Sequence, residues 1–99
     1  MAQQHYALQT VTIPEDVLVR ELDGESVLLN LATESYFGLD VVGTRMLTLL
    51  AERTTVQDAI DQLLREYEVD AEQLENDLAV LMAEMQAHGL IRIEQIERA

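Results

Sequence analysis

The chain has 99 residues, 48% of them hydrophobic, and sets 19 acids against six bases, all arginine, for a formal net charge of −13. That length gives one domain with a single modest core, that hydrophobic content excludes a disordered chain, and no apolar run is long enough to span a bilayer. The negative field repels nucleic acid and anionic membranes and attracts basic partners. The lack of cysteine removes disulfides, thiolate metal sites and Cys nucleophiles together, which fits a cytoplasmic protein.

Residues 1–14 are polar and aperiodic and end in the only proline, Pro14, so they read as a loose lead-in with room for a short extended piece at 11–13. Their start, MAQQHYALQT, has neither the basic region nor the apolar core of a signal peptide. Residues 17–22 (VLVREL) and 26–31 (SVLLNL) are strand-like, and Asp23-Gly24-Glu25 between them is a hairpin signal, because glycine tolerates positive φ. Residues 32–35 form a second short turn into Tyr36-Phe37-Gly38-Leu39. Three consecutive strands with short connections predict an antiparallel meander.

The period then becomes helical. Val42, Met46, Leu49 and Leu50 follow Asp40, which is placed to cap the first helix. Thr54-Thr55 break it, and Thr55-Val56-Gln57-Asp58 resembles a capping box with Asp in place of Glu. Val56, Ala59, Ile60, Leu63, Leu64 and Tyr67 make the apolar stripe of the second helix. Asp70 caps the third, with Gln73 three residues on and Leu74, Leu78, Leu81 and Met85 on its buried face. His88-Gly89 ends it. Residues 90–96 alternate, as a final strand or a packed tail.

The predicted fold is α+β and winged helix-turn-helix-like: a three-stranded antiparallel sheet followed by three helices, which must cover one sheet face to bury enough apolar surface. The expected organisation is a lead-in over 1–14, the domain over 15–93 and a C-terminal tail over 94–99.

Little in the chain points to catalysis. His5 and His88 have no partner at ligand spacing, and His88 near a helix end is a favourable charge on the dipole. Asp58 and Asp61 share a helix face opposite the apolar stripe, where solvated charge accounts for them. No phosphate-binding, dinucleotide-binding or nucleophile-elbow motif occurs. The expectation is a protein that is not an enzyme, with no cofactor and no metal. A winged helix also raises the possibility of a transcription factor. Between Asp70 and Gly89, however, stand Asp70, Glu72, Glu75, Asp77 and Glu84 and no lysine or arginine, so the third helix would be repelled by phosphates.

The third strand is the most informative element. It has no Lys or Pro to protect it, and an exposed strand edge offers unpaired N–H and C=O groups to another chain. Side chains alternate across a strand, so Tyr36 and Gly38 face one way and Phe37 and Leu39 the other. One pair can enter the core while the other lines a surface groove; equally, all four can pack the sheet. Gly38 can mark a local twist or bulge, or the close approach of a second backbone.

Val27-Leu28-Leu29-Asn30-Leu31, Tyr36-Phe37-Gly38-Leu39-Asp40 and the helix opening Gly43-Thr44 together closely resemble the PqqD-like family, also called RiPP recognition elements. Thr55-Val56, Tyr67-Glu68-Val69-Asp70, Asp77-Leu78 and His88-Gly89-Leu90-Ile91 follow the same layout, so the resemblance covers about residues 15–93. It implies a small non-catalytic domain that binds the leader of a ribosomally made precursor peptide and presents its core to modifying enzymes. The leader would add as a strand to the third β-strand, beside the third helix, through Tyr36, Phe37, Gly38 and Leu39 on the strand and Leu74, Asp77, Leu78 and Leu81 across the groove. Plain core packing is the other reading of Leu78 and Leu81, and a solvated helix charge that of Asp77. Stand-alone members occur in lasso peptide clusters beside a leader peptidase, the reading preferred here, and in the pyrroloquinoline quinone pathway beside a radical SAM enzyme.

Overall fold

The computed structural model describes residues 6–52 and 55–96. His5, Thr54 and the end of the expected tail lie outside them. Strands β2 (Val17–Leu22), β3 (Glu25–Asn30) and β4 (Ser35–Leu39) form the expected antiparallel sheet in the order β2-β3-β4. Helices α1 (Val41–Glu52), α2 (Val56–Glu66) and α3 (Ala71–Ala87) follow it. A further strand pair, β1 (Gln9–Thr12) with β5 (Arg92–Gln95), makes a separate antiparallel ribbon.

That ribbon corrects the reading of the lead-in as loose. Tyr6–Leu8 form a 3-10 turn, Gln9–Thr12 pair with Gln95–Arg92, and Tyr6 and Val11 are buried. Pairing satisfies the backbone groups of an otherwise polar segment, while its two apolar anchors enter the core. Residues 92–95 are accordingly a strand.

Local chemistry explains the remaining element ends. Asp23 and Gly24 both have positive φ (56° and 84°), the conformation a two-residue hairpin turn requires, and Leu22 pairs with Glu25 across it. Asp40 accepts from the Gly43 N–H at 2.8 Å, Thr55 from the Asp58 N–H at 3.1 Å and Asp70 from the Gln73 N–H at 3.2 Å, so each helix is capped by the residue expected. At the far end of α3, Gly89 has φ +70°. The Leu90 and Gly89 N–H groups reach back to the Met85 and Gln86 carbonyls, closing a Schellman motif.

The helices cover one face of the sheet. Leu28, Leu39, Leu49, Leu50, Ile60, Leu63, Leu78 and Met85 form the centre of the core. Two polar ties fix the layers. Ser26 on β3 meets Thr44 on α1 through a buried hydroxyl pair at 2.8 Å. Asn30 at the end of β3 donates to the Gly89 carbonyl at 3.0 Å. Arg45 and Glu66 join α1 to α2 through a bidentate pair at the surface, where such pairs add little stability.

Candidate functional site

The sheet order leaves β4 at an edge, and the register says which of its backbone groups are free. A two-residue turn closes on the hydrogen-bonded pair Leu22–Glu25, so Glu25, Val27 and Leu29 bond to β2 while Ser26, Leu28 and Asn30 bond to β4. The Leu31 N–H bond to the Asp16 carbonyl at 2.8 Å continues the same alternation. On β4, Ser35, Phe37 and Leu39 are then tied to β3. The N–H and C=O groups of Tyr36 and Gly38 point to the free edge.

The side chains divide by the same rule. Leu39 is buried on the helix side and Phe37 half-buried there, its ring 5.6 Å from that of His88 with the planes tilted by 51°. Tyr36 is 75% exposed on the outer face. Gly38 shares that face, and a Cβ added to it would meet no atom within 4 Å.

On α3, Leu74 and Leu78 belong to the core, Leu78 being fully buried, so its side chain presents no surface to a peptide. Their i, i+4 spacing continues through Met82 and Met85 as the core stripe. Leu81 is half-buried and Asp77 exposed, where it accepts from Gln73 Nε2 at 2.9 Å. Asp77, Leu81, Glu84 and His88 recur at helical spacing and share one flank. Because His88 touches Phe37, that flank lies on the β4 side of α3. Its imidazole is held by a 2.8 Å hydrogen bond between Nδ1 and the Glu84 carbonyl. The surface beside β4 therefore combines Phe37, Leu81 and His88, with the Asp77 carboxylate nearby.

Of the eight residues singled out from sequence, the four on the strand stand together as expected. Asp77 and Leu81 stand on the neighbouring helix flank, and Leu74 and Leu78 lie beneath it. Sequence reasoning missed the contact of His88 with Phe37; the aromatic pair is 51 positions apart, and only the chain's tertiary course brings it together. Among the described residues no group of three or more His, Cys, Asp or Glu could hold a metal ion, and no helix is long and apolar enough to cross a membrane.

A family model described as coenzyme PQQ synthesis protein D matches residues 25–91, from the start of β3 to the approach of β5. The chain belongs to the PqqD family. Two solved structures share the PqqD-family fold seen here. One, described as TbiB1 in complex with the TbiA(beta) leader peptide, is 36% identical with a TM-score of 0.77, over 82% of this chain and 94% of that one. The other, described as lasso peptide synthetase B1 complexed with the leader peptide, has a TM-score of 0.74 over 83% of this chain and 96% of that one. At 23% identity it supports the fold alone. No curated protein matches. The matched stretch of this PqqD-family chain contains β4 and α3 entire, and so the whole of the surface just described.

Proposed function

We propose that this protein is a non-catalytic recognition module that binds the leader region of a ribosomally synthesised precursor peptide and delivers it to a leader peptidase in lasso-type biosynthesis. The observation that carries this reading is the free edge of β4, which presents the backbone groups of Tyr36 and Gly38 in a PqqD-family chain. The 36% identical relative is described as a leader-peptide complex, which supports the same use of the fold.

The mechanism is β-augmentation. A leader strand pairs with Tyr36 and Gly38, supplying affinity through main-chain hydrogen bonds, while alternate side chains find pockets that supply choice. Side chains turned toward α3 meet Phe37, Leu81 and His88, which favours apolar or aromatic residues. Asp77 favours a leader Lys or Arg close by, in keeping with the net charge of −13. The domain spans about residues 15–93, extended at both ends by the β1–β5 ribbon, and acts in the cytoplasm where precursors are made.

The family description favours one second reading, a peptide chaperone for a radical SAM enzyme in quinone-type biosynthesis. Both readings share the peptide site and differ in the enzyme served. The test is an amide-shift map of labelled protein titrated with the leader of the co-encoded precursor, followed by mass analysis of the full precursor incubated with the protein alone. Shifts centred on residues 35–39 and the α3 flank, with no mass change, are expected. Shifts elsewhere would overturn the site, and any cleavage or modification would overturn the non-catalytic role.

A further inference from the structure

The sheet has a second, uncovered face. Leu18, Leu22, Val27 and Tyr36 stand exposed on the side turned away from the helices. Cross-strand register places Arg20 beside Val27 and Val27 beside Gly38. Between Arg20 and Leu22 on β2, Val27 on β3 and Gly38 on β4 lies a mostly apolar hollow of ≈ 570 Å³, rimmed by Glu25 and Asp40. It exists at the β4 end because residue 38 has no side chain to fill it. Gly38 stands on the edge strand, so the hollow borders the free edge.

We propose that this hollow is a second reading site for the leader, one that takes a single large apolar side chain on the face opposite α3. The inference rests on strand addition at β4. A strand paired there places every second side chain on the outer face. The residue lying beside Gly38 meets an empty lateral position, so its side chain can cross the glycine and rest on Val27 and Leu22. Large side chains, aromatic ones above all, pack well over a glycine in a neighbouring strand. A leucine, methionine or phenylalanine fits this chemistry. The leader would then be read on both faces, with apolar requirements at positions of opposite parity, and not only at the alternate positions that face the helix.

The test uses a displayed random-peptide library selected on the intact protein. Wild-type winners should carry large apolar residues at two positions of opposite parity. Gly38→Leu fills the hollow, and its winners should lose the preference at one parity alone. A wild-type winner should bind Gly38→Leu about tenfold more weakly or worse, the loss expected when a large apolar side chain is left in water. Leu22→Asn, at a position 77% exposed and so tolerant of change, should weaken the same peptide without altering the melting temperature. Unchanged affinity for both variants, with apolar preference at one parity only, would overturn the hollow. If Gly38→Pro then abolishes binding, strand addition stands and only the hollow falls. If Gly38→Pro binds like wild type, or no winners emerge, strand addition falls and the hollow with it.

Discussion

The Asn30 side chain donates to the Gly89 carbonyl at 3.0 Å, joining two residues 59 positions apart. Its Oδ1 also accepts from the Ala32 and Thr33 N–H groups at 2.9 and 3.2 Å. One buried amide thus shapes the turn that leads into β4 and anchors the end of α3. The spacing between the free edge and the helix flank depends on it.

Gly89→Ala should destabilise the fold by about 1–3 kcal/mol, because the residue holds φ +70° and a Cβ there would stand 2.9 Å from Asn30 Nδ2. Asn30→Ala should cost a similar ~1–3 kcal/mol by leaving buried groups unpaired. In the double variant the steric part of the glycine substitution is relieved, so the two losses should sum to more than the measured total. Urea denaturation of the four proteins checks this; strict additivity would mean that the two residues do not constrain one another.

Gly38→Pro should leave the protein folded and abolish leader binding. The Gly38 N–H points to the free edge, so its removal spares the ladder to β3, and edge strands tolerate proline. Circular dichroism and a leader titration separate the two outcomes. Unfolding would show that the Gly38 N–H is spent inside the sheet.

Leu78→Ala and Leu81→Ala should part company. Leu78 is fully buried, and its truncation should cost about 2–5 kcal/mol of stability. Leu81 is half-buried on the flank nearest β4, so its truncation should cost less stability and more leader affinity. Equal stability losses with equal affinities would place Leu81 in the core alone.

Rising salt should slow leader association and change dissociation little, since the acidic field acts at a distance and the Debye length falls to about 3 Å at 1 M. Asp77→Asn should lower affinity by no more than ~1 kcal/mol, as befits an exposed pair. Stopped-flow kinetics over a salt series reads both. A loss above ~2 kcal/mol would mean that the complex buries Asp77 against a hydrogen-bonded partner.

The parts of this fold written in local chemistry were legible in the sequence. Asp40, Thr55 and Asp70 signal helix starts within three residues, Gly89 signals an end, and Asp23-Gly24 signals a turn. The free edge was legible too, because Tyr36-Phe37-Gly38-Leu39 lacks protecting residues. What sequence could not give was pairing at a distance. Gln9–Thr12 and Arg92–Gln95 are each four residues long with a single inward apolar residue apiece, Val11 and Ile93, so alternation offers the first only as a short extended piece and the second as either a strand or a packed tail, with no sign that the two pair. For the same reason helical periodicity grouped Leu74, Leu78 and Leu81 on one apolar face. Only packing separates the first two, in the core, from the third. The outer sheet face escaped notice because Val27, Leu28 and Leu29 are all apolar, and alternation says nothing where both faces look alike.

The β1–β5 ribbon sets where cargo can be attached. Gln9 lies directly across from Gln95 and the Ile96 N–H bonds to the Leu8 carbonyl, so the start of β1 and the end of β5 lie side by side. A peptide tethered ahead of β1 or behind β5 would start from neighbouring points. Its effective concentration at β4 would then be governed by linker length and stiffness and not by the choice of end. Cargo joined ahead of β1 should therefore reach the edge strand about as readily as cargo joined behind β5.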